Sequence, residues 1–263
     1  MILARIPHEV IKPPPLPKPP VPKVFGWEHI VYLIIFIALA VGTLILIKKK
    51  VKTEKALNIT VKCAGGVLLA MILANRISLI WFYDSLWALV PNTFCGVISL
   101  VYAICMIFAK RDHVIFHFLV YAGFWGGLLV TVYPNFVGQH NSFLYVPTIT
   151  GIMHHSMAMY SSILLVMTGF VKLNLKKFFA FPVGMCVLTV WGVFILDCLG
   201  KYITEAMYLF QPLVPGTFLT WYVVGPALIL ASLGGLALWE KVLSPKLAQL
   251  KSDRKRAAVE ING

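Results

Sequence analysis

Acidic side chains are scarce in this chain: ten aspartates and glutamates stand among 263 residues, against 23 lysines and arginines. Charged residues of either sign make up 13% of the sequence, about half of the ~25% usual in soluble domains, while 59% is hydrophobic. An ordinary soluble domain is thereby excluded, and the chain reads as an integral membrane protein. Cysteine is sparse and unpaired. Cys63, Cys95, Cys105, Cys186 and Cys198 are scattered, form no CxxC and fall mostly in apolar segments, which speaks against a disulfide framework and a zinc site. There is no glycine-rich phosphate loop, no internal repeat and no long polar insertion able to form a second domain. The first 25 residues hold eight of the sixteen prolines and no apolar h-region, so a cleavable signal peptide is not expected.

What is present is a series of apolar runs separated by short polar breaks. A bilayer span needs about 20 apolar residues, and runs of near-spanning length fall at about 28–47, 57–83, 91–109, 114–133, 147–170, 178–198 and 217–239. The expectation is an all-α, polytopic bundle of about seven transmembrane helices. It divides into a proline-rich tail (1–25), the bundle (26–240) and a basic tail (241–263). The segment "IKPPPLPKPPVPK" (11–23) cannot pair its backbone as helix or sheet and reads as an extended spacer, a tether or a contact for a protein partner.

The net charge of +13 would suit nucleic acid if it formed one surface, but the cations sit in clusters beside the apolar runs, as topology signals do. Nucleic acid is therefore not an expected partner; membrane lipid is. The breaks "KKKVKTEK", "KRDH" and "VKLNLKK" and the tail after 240 hold 16 of the lysines and arginines, and the opposite breaks with the N-terminal tail hold 5. By the positive-inside rule the C-terminus is cytoplasmic and the N-terminus outside, in the cell membrane.

The polar residues within the spans gather at one depth. Arg76, Asn92, Thr93, Cys95, His154, His155 and Asp197, from four runs, all fall in the outer third, and Tyr160 follows in the same run as the histidines. An arginine inside a span needs a carboxylate, a headgroup or water; Asp197 is a candidate partner. Adjacent positions on a helix point about 100° apart, so His154 and His155 are not expected to face one pocket squarely. Two readings of the set stand. The polar side chains serve interhelical hydrogen bonds, or Cys95 is a nucleophile with a histidine as its base and Arg76 or Asn92 holding negative charge. Neither metal nor soluble cofactor is implied. His113 and His117 read as a snorkelling pair, the aromatics of "WFYDSLWALVP" and "TWYVVGP" as interfacial belts, and Pro182 and Pro226 as kinks within spans.

The order of motifs adds a resemblance. "VPNTFCGVISL", a glycine- and aromatic-rich run ending "YPNF", "GIMHHSMAMY", "YITEAMYLFQP" and "TWYVVGP" together resemble the YwaF-like integral membrane family, related to eukaryotic transmembrane protein 164, over roughly residues 75–235. The resemblance implies an acyltransferase or hydrolase acting on membrane phospholipids, with Cys95 as nucleophile and His155 as base. Many relatives carry a histidine where this chain has Thr93 and an acidic residue near the position of Arg76. Threonine with histidine serves another small family of multispan lipid hydrolases, which keeps Thr93 open as nucleophile. Arg76, Asn92, His154, Asp197 and Tyr160 would contact substrate. The alternative is a non-enzymatic transport or assembly subunit whose pocket binds a polar solute or protein.

Overall fold

The computed structural model describes residues 23–134, 142–200, 203, 206–209 and 217–244. The proline-rich segment before 23, the basic tail from 245, Lys201 and parts of "YPNF" and "YITEAMYLFQP" lie outside the described residues. The described residues form seven α-helices and no strand: α1 Trp27–Lys50, α2 Glu54–Tyr83, α3 Phe94–Phe108, α4 Phe116–Val132, α5 Val146–Met167, α6 Ala180–Leu199 and α7 Trp221–Leu238.

Local chemistry sets the ends. Thr53 accepts the Ala56 N–H at the start of α2, and Glu54 favours the positive end of that helix. Lys48, Lys49 and Lys50 complement the C-terminus of α1. The expected third span began at Pro91; α3 begins instead at Phe94, because Thr93 stays extended and its hydroxyl accepts the Gly96 N–H. Cys95 is thus the second residue of a helix, and α3, at 15 residues, is about 22 Å long. Pro147 opens α5, where a missing N–H costs nothing, and Gly169 follows its end at φ 68°. Pro182 lies in the first turn of α6 and is tolerated there for the same reason, so it is not the mid-span kink expected of it; Pro226 does lie inside α7.

Five helices, including α1, α2 and α5, are long and apolar enough to cross a membrane, while α3 and α4 are shorter apolar helices. α5 is the central element, packed along α4 and α2, with α3 closing against α2 and α4. Gly127 of α4 sits directly on the His155 carbonyl and the Met159 backbone; a Cβ there would collide with both. α1 is peripheral. Its one buried side chain is His29, whose Nδ1 accepts from the Phe25 N–H (3.1 Å) and whose Nε2 therefore donates to the Thr131 carbonyl (2.9 Å). Tyr32 extends the tether, donating to Ser156 at 2.8 Å.

Candidate functional site

Arg76, Cys95, His154 and His155 stand on α2, α3 and α5, which pack together with α4. Arg76 reaches from α2 across the start of α3: a Cβ on Gly96 would collide with its Nη2, and the Thr93 hydroxyl lies beside the same spot. The guanidinium acts electrostatically on Cys95, His154 and His155. Its Nε is buried without a hydrogen-bond partner, and no carboxylate pairs with Arg76 among the described residues. A helix N-terminus already carries partial positive charge, so the arrangement puts two positive features together with no carboxylate pairing with Arg76 among the described residues.

Cys95 faces α4, where a Cβ on Gly126 would lie 3.3 Å from its Sγ. The next residue, Gly127, carries the contact to the His155 carbonyl, so adjacent glycines bracket the cysteine on one side and the histidine turn on the other. One turn below Cys95, Ser99 hydrogen-bonds His154 Nδ1 at 3.0 Å, which fixes that imidazole on the cysteine face of α3. His155 Nδ1 lies 2.6 Å from the Gly151 carbonyl. A carbonyl only accepts, so Nδ1 carries the proton, and the neutral ring keeps a free lone pair on Nε2. The divergence expected of neighbouring helical positions does not separate the rings: the two imidazole centroids are 4.0 Å apart, and both are buried.

Thr93 is drawn in by a structural task, as the cap of α3. Asn92 stands just before it, its carbonyl accepting the Met207 N–H at 2.8 Å and so holding the segment after α6 beside the site. Two residues are not brought in. Asp197 is exposed near the end of α6 and makes no ion pair among the described residues, leaving Arg76 without its expected partner. Tyr160 belongs to the apolar core. Sequence reading missed Ser99 and the Gly126–Gly127 pair. Ser99 was findable, since it stands four residues after Cys95 on the same helical face; the glycines carry no such signal.

A second polar cluster lies at the opposite end, between the α3–α4 and α5–α6 connections. Asp112 accepts from the Lys177 ammonium, from the Lys172 N–H (3.0 Å) and from His117 Nε2 (3.1 Å). Partial burial works against ionisation of this carboxyl, but the Lys177 and Lys172 hydrogen bonds and the His117 contact outweigh it and hold the group below its usual range. His117 is fully buried rather than snorkelling, because Asp112 meets it inside. Arg111 binds Glu54 and the Gly169 carbonyl, adding a second tie between the same connections.

With this geometry in view, the chain matches the TMEM164 family over residues 24–239. It belongs to that family. The match takes in all seven helices and every site residue named above, while the proline-rich segment and basic tail fall outside it. No curated protein and no solved structure matches the chain. Membership shows a membrane protein.

Proposed function

We propose that this TMEM164-family chain is a cell-membrane enzyme that transfers or hydrolyses lipid acyl groups through Cys95. In this reading it crosses the membrane seven times, with the N-terminus outside and the C-terminus cytoplasmic. The observation that supports the chemistry most is the half-buried Arg76, its Nε buried and its guanidinium without a carboxylate among the described residues, at the α3 N-terminus beside Cys95. A cation in such a place is costly, and its natural use is to meet negative charge that develops during reaction.

The steps follow from the side chains. His155 Nε2 takes the Cys95 thiol proton, and Sγ attacks the carbonyl carbon of a phospholipid ester. The carbonyl π pair moves to oxygen, where Arg76 and the first amides of α3 hold it. Collapse breaks the bond to the glycerol oxygen, which leaves with the proton from His155, and a thioester remains on Cys95. An acceptor hydroxyl, or water in hydrolysis, gives its proton to His155 and attacks the thioester, which frees the cysteine. Thr93 caps the helix that presents Cys95, and in this reading Asn92 contacts the headgroup. One observation favours His154 as the base instead: its bond to Ser99 sets it on the cysteine face of α3.

The experiment is labelling with a thiol-reactive lipid analogue in isolated membranes. Wild-type Cys95 is labelled, and His155→Ala slows labelling about 100-fold, the low end for loss of a general base. Labelling of His155→Ala at the wild-type rate removes that histidine from the mechanism, and a matching loss in His154→Ala alone transfers the role to it. No label on Cys95 above the Cys95→Ser background overturns the proposal.

A further inference from the structure

On another face of α4 from Cys95, a groove of about 650 Å³ is walled by α4, α5 and α7 and reaches the α5–α6 connection. That volume is within the ~300–1,000 Å³ of small-molecule sites. Tyr121 and Trp125, one turn apart on α4, line it, whereas Gly126 and Gly127 turn to Cys95 and α5. Its upper end is closed by Trp125, whose Nε1–H donates to Ser232 of α7 at 2.8 Å. Most of its lining is apolar, and its rim residues Met167 and Trp239 are exposed on helix surfaces, so hydrocarbon has lateral access.

The Ser162 and Ser232 hydroxyls in that lining are already hydrogen-bonded within the protein, and two further polar features break it. The Tyr121 hydroxyl is buried, belongs to a side chain only 8% exposed, and has no hydrogen-bond partner among the described residues. A donor left so is expensive unless something in the groove accepts from it. Lys172 lines the mouth; its backbone N–H donates to Asp112 and its carbonyl accepts from Asn174, while its ammonium makes no ion pair among the described residues. Around the mouth Asp112 is taken by Lys177 and Glu54 by Arg111, while Glu240 accepts the Leu175 N–H. Lys172, Lys176 and Lys241 make no ion pair among the described residues, so positive charge prevails there.

We propose that this groove is a binding site for an anionic glycerophospholipid of the leaflet on the side of the basic connections, separate from the Cys95 site. One acyl chain lies along α4 up to the Trp125–Ser232 contact, Tyr121 donates to an ester carbonyl, and Lys172 meets the phosphate. The site stands whether or not Cys95 is catalytic.

The glycines of α7 supply the test. A Cβ on Gly234 or on Gly235 meets nothing within 4 Å, yet only Gly235 lines the groove. The full chain is placed in phosphatidylcholine nanodiscs with phosphatidylglycerol bearing a diazirine on one acyl chain, and crosslinks are mapped by mass spectrometry. We expect crosslinks within 120–125, 162–173 and 231–239, reduced at least fivefold in Gly235→Leu and within twofold of wild type in Gly234→Leu. Tyr121→Phe and Lys172→Gln should each weaken labelling about threefold or more. Equal labelling of the two glycine variants overturns the site. Equal labelling by a diazirine phosphatidylcholine overturns the anionic assignment.

Discussion

Gly96 is the most informative single residue. Its missing Cβ is what lets Arg76 lie across the start of α3. Alanine there favours the helix by up to ~1 kcal/mol, and the atom it strikes hardest is the far end of the flexible Arg76 side chain, with the Thr93 hydroxyl next at 3.0 Å. Gly96→Ala should therefore keep or slightly raise the thermal midpoint in detergent while cutting Cys95 labelling at least tenfold, a split between stability and reactivity that both assays read directly. Thr93 separates two roles in the same way. If its hydroxyl serves only as the cap seen here, Thr93→Asn keeps Cys95 labelling, whereas Thr93→Ala loses about 0.5–2 kcal/mol of stability; an acyl group from tagged phospholipid found on the Thr93 peptide, and lost in a stably folded Thr93→Asn, would make the threonine the nucleophile. The sequence made Arg76, Cys95 and the histidines legible because ionisable and nucleophilic groups stand out in apolar runs. It hid that Asp197 is exposed and makes no ion pair with Arg76 among the described residues, since nothing in a linear pattern tells an exposed span end from a buried partner.

At the scale of elements, the α4–α5 crossing depends on backbone approach. Gly127→Ala would drive a methyl into the His155 carbonyl. Backbone gives way less readily than a side-chain tip, and the cost should be at least the ~1–3 kcal/mol of an overpacked core, seen as a lower midpoint together with lost labelling. The Asp112 cluster ties the basic connections. Its carboxyl is held below its unfolded value in the fold, so its contribution is complete above the ordinary aspartate range near 4 and is lost as pH falls through the lower folded value. Wild type should lose stability in that acid window, and Asp112→Asn should be less stable at neutral pH with a flatter acid limb, read from unfolding midpoints across pH. Helix number and order were legible from the apolar runs. The late start of α3 was not, because it is set by the Thr93 cap, which a hydropathy run does not register.

For the molecule as a whole, family membership and apolar helices establish a membrane protein, and the two faces of α4 meet different surroundings. One gathers Cys95, two imidazoles and an unpaired arginine; the other opens a lipid-sized groove toward the basic connections. The account turns on whether Cys95 ever carries an acyl group. The direct measurement is to incubate the full chain in membranes with a phospholipid bearing an alkyne-tagged acyl chain, then follow the tag onto the Cys95 peptide by mass spectrometry. A hydroxylamine-labile adduct on Cys95, lost in Cys95→Ser and reduced at least tenfold in Arg76→Gln and His155→Ala, is the predicted result. A fully folded wild-type chain that turns over the tagged lipid with no adduct on Cys95, or that forms the adduct undiminished without Arg76 and His155, would contradict it.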